Sequence, residues 1–141
     1  MAETRYGAVV VGEVPTLKDS GQRRAFDSGA IRDRAAGKGR FDLIPSQAIF
    51  RLARHFEAGA IKYSDRNWEK GMEISVYVDA ALRHMEKYKD GWNDEDHLAA
   101  VLWNVAAIMH HEQKMPDLMD LPERQNENIQ KWVIFKPEDA E

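Results

Sequence analysis

The sequence predicts an all-α protein that begins with an irregular segment. Between residues 45 and 115, three stretches carry apolar side chains at the three- or four-residue spacing of amphipathic helices. Each stretch is bounded by residues that start or stop helices. Outside them, two short apolar runs, at residues 6–11 and 132–135, are the candidates for strands. We therefore expect a single domain over residues 1–141, with its helical core at 45–115.

Residues 1–44 form the predicted irregular segment. Positions 20–39 within it are polar and include four glycines, which interrupt regular structure. A long ordered loop in a compact domain usually has a function. We therefore interpret residues 1–44 as a substrate loop, and residues 116–141 as a largely polar tail.

The boundaries of the three helices are predicted from local signals. A Pro-Ser pair opens the first helix, over residues 45–63. The second covers residues 75–89 and stops at an Asp-Gly pair. The third begins after Asn93, a favourable N-cap, and continues to about residue 114.

Composition and charge narrow the functional classes. With 141 residues, 43% of them hydrophobic, the chain suits a single domain with a substantial core. The formal net charge of −4 gives no broad attraction to nucleic acid or to an anionic membrane, so neither is expected as a partner. The absence of cysteine excludes disulfides, zinc thiolates and a cysteine nucleophile. No apolar run has membrane-spanning length and no signal peptide is visible, so we expect a soluble cytoplasmic protein.

Glu57 interrupts the apolar face of the first predicted helix. On a helical wheel it lies between Phe50 and Ile61, in the middle of the face expected to be buried. A buried carboxylate is costly unless it is paired or coordinates a metal. Glu57 is therefore either the partner of an arginine or a metal ligand and catalytic carboxylate.

The second predicted helix combines a core face with a charged face. Its inward residues are predicted to be Val78, Ala81, Leu82 and Met85. Asp79 and Arg83 share another face, where they form either a surface ion pair worth a few tenths of a kcal/mol or part of a site. His84 flanks the core as a packed residue or as a catalytic group.

The third predicted helix is apolar around most of its circumference, which is typical of a buried helix. One narrow stripe is instead polar or small, and it consists of Asp96, His97, Ala100, Asn104, Ala107 and His111. Small residues between polar ones leave space for a ligand. The structural alternative is that Asp96 favours the helix N-terminus and Asn104 forms a hydrogen bond in the core.

The combination of acidic and basic residues indicates phosphate chemistry. Carboxylates on neighbouring helices favour Mg²⁺ or Mn²⁺, and such ions neutralise phosphate oxygens and activate water. Basic side chains would then bind the phosphates, and the candidates are Lys38, Arg40, Lys62, Arg66 and Arg83. Trp68 either stacks on a base or anchors its loop to the core.

Five motifs carry a resemblance to a known family. They are residues 28–32 (SGAIR), 37–45 (GKGRFDLIP), 57–71 (EAGAIKYSDRNWEKG), 81–84 (ALRH) and 94–104 (DEDHLAAVLWN). In this order they resemble the phage dATP/dGTP diphosphohydrolases, which are MazG-like all-α NTP pyrophosphohydrolases. The resemblance spans about residues 27–112 and implies a MazG-like helical bundle.

The resemblance also implies an activity and an assembly. Enzymes of this family cleave a purine deoxynucleoside triphosphate, dGTP or dATP, to the monophosphate and pyrophosphate with Mg²⁺ or Mn²⁺. MazG-like enzymes form dimers or tetramers, so a homo-oligomer is implied here. Some members are associated with phages that replace adenine by 2-aminoadenine, where they supply dGMP. A phage-encoded protein of this kind would act in the host cytoplasm.

The metal ligands are harder to transfer from the family. The wider superfamily carries Glu-x-x-Glu on one helix and Glu-x-x-Asp on a later one. Around Glu57 the motif positions hold arginine and alanine, so the first pair is incomplete. For the second pair, spacing from Glu57 favours Asp79, whereas the run ending at residue 104 favours the third helix, with Glu95 or Asp96 as substitutes.

Taking both possible alignments of the second motif together gives three sets of candidate residues. The metal candidates are Glu57, Asp79, Glu95 and Asp96, and the catalytic candidates are Glu57, His84 and Asp96. The substrate-binding candidates are Lys38, Arg40, Lys62, Arg66, Asn67, Trp68, Arg83 and Asn104.

The pyrophosphohydrolase activity has two alternatives. An HD-type dNTP triphosphohydrolase needs an adjacent His-Asp pair, and no histidine here is followed by aspartate. A non-catalytic helical module that binds a partner or regulates it would need none of this chemistry. The products formed from each nucleotide, with and without a divalent metal, distinguish the three.

Overall fold

The computed structural model describes residues 16–19 and 21–125. The two strand-like runs predicted at 6–11 and 132–135 lie outside these residues. The described residues belong to two compact units, the first ending at Gly39 and the second beginning at Arg40.

The first unit contains a small antiparallel hairpin of β1 (Arg23–Ala25) and β2 (Ile31–Asp33). Arg23 lies opposite Asp33, and their side chains form an ion pair of 3.0 Å. The turn requires Gly29, which has a φ of 87°. The sequence predicts this stretch as irregular because strands of three residues are too short to show an alternating pattern.

The second unit contains three helices, α1 (Ser46–Lys62), α2 (Ile74–Lys89) and α3 (His97–Lys114). Short 3-10 turns precede and follow them. The all-α prediction is confirmed, and the bounds of α1 and α2 differ from the predicted ones by no more than one residue. Within the described residues, no helix combines the length and apolarity that a membrane span requires.

The start of α3 differs from the prediction. Asp96, rather than Asn93, is the N-cap, because its carboxylate accepts a hydrogen bond from the Ala99 backbone N–H at 3.0 Å. An aspartate in this position satisfies one of the free donors of the first turn and favours the positive end of the helix dipole. The helix therefore begins at His97, and the acidic residues 94 and 95 precede it.

The core of the second unit lies where α3 packs against α2 and α1. The stripe of α3 that faces this core is the small and polar one, with Ala99, Ala100 and Ala107 beside the buried His97, Asn104 and His111. Ile74 and Tyr77 of α2 are buried against it. The Tyr77 hydroxyl lies 3.0 Å from His111 Nε2, and Asn104 donates to the Ala100 carbonyl at 2.8 Å. Each of the three buried polar side chains therefore forms at least one hydrogen bond, and the alanines allow close packing.

The large apolar side chains of the helices are more exposed than predicted. On α3, Met109 is 65% exposed and Leu102 is 40% exposed. On α2, the predicted core residues Leu82 and Met85 are 64% and 43% exposed. The prediction that these two residues are buried is wrong for the single chain, because α2 uses a different face, that of Ile74 and Tyr77, to contact α3.

Candidate active site

A cleft of about 990 Å³ is formed within the second unit. It is bordered by the C-terminal half of α1, the loop that follows, α2, Glu95 just before α3 and the middle of α3. Among the residues that line it are these sequence-predicted candidates: Glu57, Lys62, Arg66, Asn67, Trp68, His84, Glu95 and Asn104. The cleft therefore brings together acidic, basic and aromatic groups from separate elements.

Glu57 lines the cleft from α1, but it is exposed rather than buried. The expected apolar surroundings are exposed as well, since Phe50 is 64% and Ile61 is 82% exposed. On the same face only the middle is partly covered, where the half-buried Phe56 packs against Trp68 and Trp103. None of the ion pairs in the described part of the chain involves Glu57, so the arginine alternative finds no support there.

A histidine cluster lies where α2 meets the start of α3. His84 Nδ1 is 2.9 Å from His97 Nδ1 and 3.1 Å from Glu95 Oε1. The distance from His97 Nδ1 to the same Glu95 oxygen is 3.5 Å. His97 is only 2% exposed, whereas Glu95 borders the cleft. These three side chains form a group that is compatible with a divalent metal ion.

Hydrogen bonding and burial lower the pKa values of two groups in or beside this cluster. Asp94 Oδ1 lies 2.7 Å from His97 Nε2, and this hydrogen bond lowers the pKa of the Asp94 carboxyl. The His97 Nε2–H donates to the carboxylate, and Nδ1 is the ring nitrogen that faces His84. Burial is the main cause that lowers the pKa of His84, so the neutral imidazole is favoured for that residue.

His97 and Asp94 are absent from the sequence-predicted site. Asp94 belongs to the acidic run before α3, and His97, two positions after Glu95, is the first residue of that helix. That spacing, together with His84 near the end of the preceding helix, is the signal that leads to this cluster. Only the packing of α2 against α3 shows that the three side chains meet.

Asp96 has a structural role in the described chain. Arg51 of α1 binds it through two hydrogen bonds, from Nη2 to Oδ1 at 2.7 Å and from Nε to Oδ2 at 2.8 Å. The hydrogen bond from Arg51 is the main cause that lowers the pKa of Asp96 from 3.8 to about 2. Because the same carboxylate caps α3, it connects α1 to the start of α3.

We expect Asp96→Ala to lower the free energy of unfolding by about 1–2 kcal/mol, because it removes both the N-cap and the ion pair. Asp96→Asn keeps a capping side chain and should cost only about 0.2–1 kcal/mol. Since folding lowers the pKa of Asp96, the contribution of the ion pair is present above about pH 4 and is lost as the pH falls toward 2. Urea unfolding at pH 7 and pH 3 measures both effects. Equal losses in the two variants would contradict the capping role.

Among the remaining charged candidates, the second-unit residues Asp79, Arg83 and Arg40 do not line the cleft. Asp79 and Arg83 form the exposed ion pair that the sequence allows, at 2.6 Å. Arg40 pairs with the exposed Asp42 at 2.7 Å. Lys38 belongs to the first unit, with the hairpin. Their part in substrate binding stays a prediction.

The loop between α1 and α2 positions Trp68 at the wall of the cleft. The indole is packed edge-on against Phe56, at 5.8 Å between ring centroids, and against His110 at 4.9 Å. These contacts support the structural alternative, in which Trp68 anchors its loop. Two non-glycine residues of this loop, Ser64 and Arg66, have positive φ angles of 147° and 60°. Such angles are costly and occur preferentially at functional sites.

Comparison with known proteins identifies the family. The family model described as dATP/dGTP diphosphohydrolase, N-terminal, matches residues 28–121. This chain belongs to the dATP/dGTP diphosphohydrolase family. Comparison with the curated proteins and with the solved structures gave no match. The part of the chain shared with the diphosphohydrolase family includes every residue that lines the cleft.

Proposed function

We propose that this member of the diphosphohydrolase family hydrolyses a purine deoxynucleoside triphosphate to the monophosphate and pyrophosphate, with the help of Mg²⁺ or Mn²⁺. The observation that carries the proposal is that the whole cleft, with its acidic and basic walls, lies inside the residues that match the family. dGTP and dATP are the proposed substrates because the family description names these two purine nucleotides.

The proposed reaction is attack of water on the α-phosphorus. A bond forms between the water oxygen and phosphorus, the bond to the bridging oxygen breaks, and pyrophosphate leaves with the electron pair. Glu57 accepts the proton of the water, or His84 accepts it where its imidazole binds no metal ion. A bound divalent ion supplies charge neutralisation at the phosphates. Catalysis is then mostly positioning and electrostatic stabilisation.

The geometry ranks the proposed metal ligands. The Glu57 and Glu95 side chains are exposed and border the cleft, so their carboxylates are accessible to an ion. The carboxylates of Asp79 and Asp96 are already held by arginines, at 2.6 and 2.7 Å. We therefore propose Glu57 and Glu95 as the principal carboxylates. Asp79 and Asp96 would have to give up an ion pair to bind a metal.

Basic and amide groups of the cleft fit the remaining parts of a nucleotide. Lys62 and Arg66 are exposed where α1 ends and the loop begins, and we propose them as phosphate ligands. Arg66 is held by Glu69 at 2.6 Å and is therefore oriented but still accessible. Asn67 and the buried Asn104 are proposed to contact the nucleoside. Lys38, Arg40 and Arg83 are further proposed phosphate ligands.

We also propose that the chain forms a homo-oligomer, a dimer or a tetramer. All three helices expose apolar side chains with helical spacing, including Ile61 on α1, Leu82 on α2 and Met109 on α3. Exposed apolar patches of this kind are typical of protein interfaces. A role in phage 2-aminoadenine nucleotide synthesis, as a source of dGMP, is proposed from the sequence resemblance.

Product analysis tests the proposed function. We expect incubation with dGTP or dATP and Mn²⁺ to release pyrophosphate and the deoxynucleoside monophosphate, with dCTP and dTTP cleaved more slowly. Chromatography of the nucleotide products, together with a pyrophosphate assay, measures both. Release of triphosphate and nucleoside would instead indicate the HD-type reaction. No turnover of any dNTP would indicate a binding or regulatory module.

A further inference from the structure

The histidine cluster has the dimensions of one face of a metal coordination shell. Three donor atoms, His84 Nδ1, His97 Nδ1 and Glu95 Oε1, are separated by 2.9, 3.1 and 3.5 Å. Metal–ligand bonds of about 2.0–2.2 Å place neighbouring ligand atoms roughly 2.8–3.1 Å apart in octahedral geometry and roughly 3.3–3.6 Å apart in tetrahedral geometry. A single ion above the plane of the three atoms can therefore bind all of them without a large rearrangement.

A carboxylate orients one of the two imidazoles for metal binding. The hydrogen bond of 2.7 Å between His97 Nε2 and Asp94 leaves Nδ1 as the ring nitrogen available to a metal ion. Metal-binding histidines usually donate their other ring N–H to a carboxylate or a carbonyl, which holds the tautomer and the ring orientation. The His97 side chain is also 1% exposed, so packing limits its rotation. Asp94 is therefore a positioning residue for His97.

The cluster is open on one side. His84 and Glu95 line the cleft, whereas His97 lies buried beneath them. An ion held by three protein atoms keeps coordination positions for water or a ligand oxygen, as in catalytic sites and unlike closed structural ones. In this cluster those positions would be directed to the cleft.

We propose that His84, His97 and Glu95 bind one divalent transition-metal ion, of the class of Mn²⁺, Co²⁺ and Zn²⁺, in preference to Mg²⁺. Imidazole nitrogen is a good ligand for first-row transition metals, whereas Mg²⁺ prefers an all-oxygen shell with several waters. Two nitrogen donors and one carboxylate therefore select against Mg²⁺. This inference is independent of the proposed reaction, since it is tested on the full chain without nucleotide.

A cobalt titration tests this centre. Co²⁺ is added to metal-free protein and followed by calorimetry and by the visible absorption of the ion. We expect one Co²⁺ site per chain whose visible spectrum differs from that of aqueous Co²⁺, and we expect Zn²⁺ but not equimolar Mg²⁺ to displace the ion from it. Glu95→Gln and His84→Gln should abolish the spectrum. Asp94→Asn should weaken binding by about 10- to 100-fold.

The variants include one with little risk to the fold and a matched control. The Glu95 side chain is 53% exposed, so Glu95→Gln should keep the wild-type melting temperature in the absence of metal. The control is His110→Gln, which removes a histidine of α3 outside the cluster and should leave the titration unchanged. Equal Co²⁺ binding by wild type and Glu95→Gln, or displacement of Co²⁺ by equimolar Mg²⁺, would overturn the proposal.

Parallel nucleotide assays separate this proposal from the proposed function. Hydrolysis of dGTP by a chain whose Co²⁺ binding does not depend on His84 and Glu95 would contradict the proposed metal centre and support the proposed function. Binding of Co²⁺ as expected, with no hydrolysis of any dNTP, would support the metal centre and contradict the proposed function.

Discussion

Glu57→Gln is expected to lower kcat for dGTP by about 10²- to 10⁴-fold, the range associated with loss of a general base. The substitution keeps the shape of the side chain and removes the charge that binds a cation or accepts a proton. Because Glu57 is exposed, the free energy of unfolding should change by no more than about 0.5 kcal/mol. Steady-state kinetics and thermal unfolding measure the two effects separately.

A metal titration adds a second measurement for Glu57. If the carboxylate binds Mn²⁺, the ion should raise the melting temperature of the wild type by mass action more than that of Glu57→Gln, which keeps only the histidine cluster as a metal site. Glu112→Gln removes the same charge from an exposed position at the end of α3 and should behave like wild type. Wild-type kcat in Glu57→Gln would exclude Glu57 from the site and leave Glu95, with Asp79 and Asp96, as the acidic candidates.

Leu82→Glu is expected to convert a homo-oligomer to the monomer. Leu82 is 64% exposed on the outer face of α2, beside Met85 at 43%. In an interface, the substitution would lose the burial of leucine and bury an unpaired carboxylate, for a total of about 3 kcal/mol or more. That corresponds to at least about a hundredfold increase in the dissociation constant. Light scattering after gel filtration should then give the mass of one chain, 16.2 kDa, instead of a multiple of it.

The control for this experiment is Gln113→Glu, which adds the same charge at an exposed polar position on a different helix, α3. We expect it to retain the wild-type mass. A wild-type chain that is monomeric at micromolar concentration, or a Leu82→Glu variant that keeps the oligomer, would contradict an interface at this face of α2.

Local sequence signals determined the helical architecture. Proline, glycine and N-cap residues act within one turn of the position they occupy, so the bounds of α1 and α2 follow from the sequence within one residue. The family is determined in the same way, because its motifs are linear and are matched over residues 28–121. Part of the candidate site can also be predicted from the sequence, because Glu57, Arg66 and Trp68 line the cleft and belong to one continuous motif, residues 57–71.

The tertiary structure alone decided which helical face is buried and which charged groups meet. Periodicity shows that a helix has a distinct face, but the partner helix decides whether that face enters the core. On α3 the small and polar stripe packs inward, because alanines allow close approach and His111 finds a partner in Tyr77. Likewise, Asp96 is bound by Arg51, 45 positions away, and His84 meets His97 across two helices. Such pairs depend on distances between separate elements, which no local pattern in the sequence records.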